Sequence, residues 1–152
     1  MSDRAARHRK IRGQNFDTNE IARATMPYLS RIRADNAGVY SILLGTGDGL
    51  HICSLGLATP EDAAAMAALN SSMLGVADSQ VRLLDPDADA NSTADAVVSV
   101  ALPDGVLVLS SIVYPPLDHL VLAVSARDTQ LGVVIHETRE ASHQLASWLD
   151  EN

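Results

Sequence analysis

Cysteine is nearly missing from this chain: Cys53 is the only one in 152 residues. A lone thiol excludes an internal disulfide and fits a reducing compartment. Aromatics are scarce too, at 3%, so few rings are available to stack on bases or sugars. No apolar run approaches the about 18 residues of a membrane-spanning helix. The basic start leads into Gln14-Asn15-Phe16-Asp17, where a signal peptide would carry its apolar region, so a cytoplasmic protein is expected. No G-x-S-x-G, H-E-x-x-H or Cys–His signature occurs anywhere in the sequence, and these are the spacings that nucleophilic and metal-assisted hydrolysis would need. The glycines of Gly45-Thr46-Gly47-Asp48-Gly49 have neither dinucleotide nor Walker spacing. A strand rather than a helix is expected after them, so no phosphate-cradling helix N-terminus follows. The expectation is a protein without catalytic residues, cofactor or metal.

Cations are rare outside the first residues. Positions 1–16 hold Arg4, Arg7, Arg9, Lys10 and Arg12 against Asp3, a net +4, whereas the remainder holds six Arg against 18 carboxylates, a net −12; together they give the −8 of the whole chain. The acidic body disfavours nucleic acid, and only the tail could meet phosphates. Residues 1–16 are read as a basic tail outside the fold, its partner open, and 17–152 as one domain. A domain of this size can bury about 68–70% of its unfolded surface and needs no staple to fold.

What the chain does have is aliphatic residues, within an apolar share of 47%. They culminate in Val97–Val124, VVSVALPDGVLVLSSIVYPPLDHLVLAV. Asp104-Gly105 is a hairpin signal that asks for φ > 0, and Pro115-Pro116 cannot continue a ladder. The result is a three-stranded antiparallel meander. Its second and third runs, Val106–Leu109 and Leu120–Val124, do not alternate, which predicts burial on both faces. A second hairpin is expected from Val39–Leu44 and Leu50–Leu55, turning at Asp48-Gly49.

Three helices complete the pattern. The first begins at Thr18, with Ile21, Thr25, Tyr28/Leu29 and Ile32 inward, a kink or start at Pro27, and Gly38 as a left-handed stop. The second opens on Thr59-Pro60-Glu61-Asp62 and runs to about Leu83. It carries an apolar stripe, Met66, Leu69, Met73 and Val76, beside a small-residue stripe, Ala64, Ala68, Ser71/Ser72 and Gly75. The third spans Gln130–Leu149, capped by Asp128 or Thr129, with Leu131, Val134/Ile135, Thr138, Leu145 and Trp148/Leu149 buried. His136, Glu140 and His143 share its opposite face and are read as solvated rather than metal-binding. Asp85–Asp95 is an acidic, turn-rich loop; its alternate Asp residues lack the Gly and Glu of a calcium loop.

The order is helix, hairpin, helix, meander, helix. With VYSILLGTGDGLHICSLGL, the Met66–Gly75 helix, LPDGVLVLSS and ARDTQLGVVIHETREA, the chain resembles the roadblock / dynein light chain seven family, in its bacterial small-GTPase-regulator type, over about Glu20–Leu149. The resemblance implies a profilin-like α+β sandwich: a five-stranded antiparallel sheet, the second helix on one face and the first and last on the other. It further implies a homodimer that binds a small Ras-like GTPase as adaptor or regulator. Independently, the Asp95–Leu102 strand would be an edge without Lys or Pro between Ala96 and Leu102, an unprotected edge that a two-fold copy would cover. The expected dimer interface is Val97, Val98, Val100 and Leu102 with Ala64, Ala68, Ser72 and Gly75. The expected partner-binding residues are Met66, Leu69, Met73 and Val76. The alternative is a sensing module with a buried polar pocket.

Overall fold

The computed structural model describes residues 15–89 and 96–151. The helices are α1 (Asn15–Asp35), α2 (Pro60–Leu84) and α3 (Leu131–Glu151). The strands are β1 (Val39–Thr46), β2 (His51–Leu55), β3 (Val97–Leu102), β4 (Gly105–Val113) and β5 (His119–Arg127). One antiparallel sheet results, in the order β2-β1-β5-β4-β3. Joining the two hairpins through β1 and β5 leaves β3 at one edge and the short β2 at the other.

Both faces of the sheet are covered, as the non-alternating runs require. On one face Ile42, Leu44, Val108, Leu120 and Leu122 pack with Leu29 of α1 and Val134 and Leu145 of α3. On the other, Leu43, Leu107, Leu109, Val121 and Ala123 pack with Ala63, Ala67 and Leu74 of α2. Ser110 is the polar insertion in the first layer, and it accepts a hydrogen bond from buried Ser142 of α3 at 3.0 Å. Strands buried from two sides need that kind of pairing for every polar group they carry.

Several local expectations change. α1 continues through Pro27; the carbonyl that loses its partner belongs to Arg23, and both residues are exposed, where water serves it. Gly38 is not left-handed. Instead Asn36 turns the chain, its Oδ1 accepting from the Gly38 N–H at 3.1 Å and its carbonyl from the Val39 N–H at 3.0 Å. The meander turn is made by Pro103 and Asp104, because Gly105 already pairs with Leu102 and has no positive φ. Glycine is needed there for space, since a Cβ would run into the Ala126 carbonyl. Gly49 does take the expected positive φ, +97°. Leu131 is 45% exposed rather than buried, one turn short of where α3 meets the sheet.

The tail now ends sooner, with Asn15 already helical. Residues 1–14 and 90–95, and with them most of the tail and half of the acidic loop, lie outside the described residues.

Candidate partner-binding surface

α2 starts where expected: Thr59 Oγ1 accepts from the Asp62 N–H at 3.0 Å, Pro60 opens the first turn, and Glu61 and Asp62 sit on its positive end. The face it buries is not either of the predicted stripes. Ala63, Ala67, Asn70 and Leu74 lie on the sheet. Those positions recur at four, three and four residues, the helical spacing. Two alanines and an amide hide the pattern from any scan for large apolar residues.

The larger apolar residues point away. Leu69 is 58% exposed, Val76 60% and Leu83 82%. They recur every seventh residue, with Ser72 and Ser79 three after the first two, the spacing of a heptad seam. Both serines are hydrogen-bonded within the helix: Ser72 Oγ donates to the Ala68 carbonyl and Ser79 Oγ to the Gly75 carbonyl, each at 3.1 Å. With its hydroxyl hydrogen bonded inside the helix, a serine presents little that needs water.

The two predicted stripes separate onto opposite flanks of this seam. Met66 and Met73 are half-buried at the margin of the α2-side core, together with Val98, Val100 and Leu102 of β3. Ala64, Ala68 and Gly75 are exposed on the other flank. There Ser71 Oγ donates to the Gly47 carbonyl, and Gly49 approaches Ala68 so closely that its missing Cβ would lie 3.3 Å from the Ala68 Cα. Beyond Gly75 opens a cleft of about 310 Å³ bordered by Ser71, Asp78, Arg82, Ser111 and His119. Along its rim Arg82 pairs with Asp78 at 3.2 Å, and the His119 imidazole lies 3.4 Å from the Asp118 carboxylate. Exposed pairs of this kind add about 0–1 kcal/mol, so they shape the rim more than they stabilise it.

β3 is the other half of the surface. It pairs with β4 from Val97↔Ser110 to Leu102↔Gly105. Its remaining N–H and C=O groups face outward at the sheet edge. Val97, Val98, Val100 and Leu102 are only half-buried, and Ser99 and Ala101 are exposed. The opposite edge is treated differently, with five residues and α1 lying over it.

Elsewhere polar groups have structural work. Cys53 is buried beside Thr25, Sγ to Oγ1 3.4 Å, and burial pushes its thiol up. Partial burial lowers His51, which meets Ser54 Oγ at 2.9 Å. His136, Glu140 and His143 are exposed on α3. Among the described residues, no group of three or more His, Cys, Asp or Glu side chains is placed to hold a metal, and no helix is long and apolar enough to cross a membrane.

The fold is that of roadblock domains. A Roadblock/LC7 domain from Streptomyces avermitilis superposes with a TM-score of 0.64 at 21% identity, over 80% of this chain and 94% of that one. MglB from Myxococcus xanthus gives 0.65 at 16% identity, over 91% and 99%. The gliding protein MglB from Thermus thermophilus gives 0.67 at 16%, over 89% and 93%. No family model matches the chain, and no curated protein matches it by sequence.

Proposed function

We propose that this protein is a non-enzymatic homodimer that binds a small Ras-like GTPase and regulates it. The observation that carries the reading is the continuity of two unsatisfied surfaces, the edge of β3 and the outward apolar seam of α2, joined by half-buried Met66 and Met73. An antiparallel copy of β3 extends the ladder across a two-fold axis. It also sets the partner's α2 beside the flank bearing Met66, Leu69, Met73 and Val76. The sequence divided these stripes the other way. In the dimer proposed here the methionine flank joins the strand Val97–Leu102 at the interface, and Ala64, Ala68 and Gly75, with the neighbouring cleft, stay open to the GTPase. Small residues suit that role because they let another backbone come close. The sequence resemblance to the roadblock family implies the same partner class, and the fold shared with roadblock domains is consistent with it.

Sedimentation should give about twice the chain mass of 16.1 kDa. Titration with a purified Ras-like GTPase from the same genome, loaded with GDP or a non-hydrolysable GTP analogue, should give binding in one nucleotide state. A monomer at micromolar concentration, or no binding in either state, overturns the proposal. The sensing alternative calls for an enclosed polar pocket, and the clefts beside α2, beside β3 and between α1 and α3 are all open to solvent.

A further inference from the structure

On the sheet face opposite α2, two helices cover four strands: α1 lies over β1 and β2, and α3 over β4 and β5. A helix is about 10 Å across and neighbouring strands are about 4.8 Å apart, so each helix spans two strands and a fifth is left bare. That strand is β3. Its alternate residues Val98, Val100 and Leu102 belong to the α2-side core, which turns Ser99 and Ala101 to the bare face, where both are exposed. α3 forms a wall along it, from Leu131, which shares a cleft with Gly105, to Ser142, which donates to Ser110. Gly105 and Ser110 pair with Leu102 and Val97, the two ends of β3.

The cleft at the Leu102 end is about 570 Å³ in volume. Ala101, Pro103 and Leu131 give it an apolar lining, and the charged residues that border it are Asp104 and Asp128. Neither carboxylate has an ion pair among the described residues. Arg127, next in sequence to Asp128, holds its guanidinium 4.2 Å from the ring centroid of Tyr40, on the side of β5 away from β4. In the proposed dimer an antiparallel copy of β3 would bring two bare strands together. The result is a slot about 10 Å wide and about 20 Å long, walled by α3 of each chain. Those are the width of one helix and the length of about 13 helical residues. Two-fold symmetry sets one Asp104–Asp128 pair at each end, and Ser99 and Ala101 are small enough for a backbone to come close.

We propose that this slot holds one amphipathic helix of a second partner protein, with an apolar, small-residue stripe toward β3 and Lys or Arg at both ends. The stripe fills the groove and the end charges meet the four carboxylates. A slot on the two-fold axis admits a single helix, in either direction, so two chains bind one. The inference rests on the proposed dimer but not on the GTPase, whose surface lies on the other face of the sheet.

The probe is a capped, stapled peptide helix with an Ala/Leu stripe and lysines in both terminal turns, titrated into the isotope-enriched full chain after sedimentation has measured its mass. Amide signals should shift at Ser99, Ala101, Asp104 and Leu131 and saturate at one peptide per two chains. Asp104→Asn/Asp128→Asn keeps a residue that tolerates the φ of +52° at position 128. It should weaken binding about tenfold and remove most of its salt dependence. A peptide with glutamates in place of the lysines should not bind. Shifts on α2 alone, no shifts, a ratio of one to one, or equal affinity for the Asn pair overturns the proposal and leaves the dimer standing. A monomer in sedimentation removes the slot and the dimer together.

Discussion

Asn70 is the polar group of this fold that energetics condemns most clearly. It is 1% exposed, in the middle of the α2 face that lies on Leu43, Leu109, Val121 and Ala123. Neither Oδ1 nor Nδ2 has a hydrogen-bond partner. An unsatisfied buried amide costs about 1–3 kcal/mol. Asn70→Leu removes that penalty and adds apolar burial, against strain from the extra bulk of about 1–3 kcal/mol when a site cannot relax. Asn70→Ala separates the two terms, because it deletes the amide without adding volume. Both variants should be at least as stable as the parent, and the better one gains about 1–2 kcal/mol. For a domain this long that is roughly 2–8 °C in Tm. Urea unfolding with an unchanged m-value should report the same gain. If both variants lose more than about 1 kcal/mol, the amide is hydrogen-bonded in solution, through a bound water or a rearranged dimer, and the argument from the single chain fails.

Three further outcomes follow from the same surfaces. Val98→Lys should leave the protomer folded and shift sedimentation toward monomer, because an edge lysine blocks strand pairing; an unchanged dimer would move the interface elsewhere. Ala68→Arg, exposed on the small-residue flank, should keep the dimer and abolish GTPase binding by at least tenfold in Kd; undiminished binding would clear that flank. Cys53 binds its proton more tightly folded than unfolded, so the unfolded chain loses the proton first as pH rises. Stability contributed by the thiol is therefore present at neutral pH and falls through the alkaline range, and Cys53→Ala should flatten the alkaline limb of a denaturation–pH series.

Much of the architecture was legible because the signals were local. Asp48-Gly49 and Pro115-Pro116 are turn chemistry, Thr59-Pro60-Glu61-Asp62 is a capped helix start, and β4 and β5 lack alternation because helices cover both faces. The errors arose where a neighbour in space decides. Gly38 and Gly105 are small to clear Thr129 and the Ala126 carbonyl, not to adopt positive φ. The buried face of α2 escaped notice because a close approach to the sheet at Gly45, whose missing Cβ would lie 3.5 Å from Ala67 Cβ, admits only small side chains. Small residues there mark the tightest packing, and large ones mark what is left outside.

That inversion bears on why β3 and α2 would have to act together in the proposed dimer. Fully burying Leu69, Val76 and Leu83 is worth about 1.5–3 kcal/mol each, and two-fold symmetry doubles it. Discounted for an exposure of 58%, 60% and 82%, the seam can return roughly 6–12 kcal/mol. Association costs about 4–15 kcal/mol in lost freedom. Helix contact alone is thus near break-even, and a seam with serine at alternate positions packs less tightly than one with leucine. In the proposed dimer the β3 ladder is the term that would tip the balance: it would satisfy edge groups in a fixed register and so position the two α2 helices without further ordering. The proposed dimer should therefore be lost when either surface is spoiled, although the two are separate elements in the sequence.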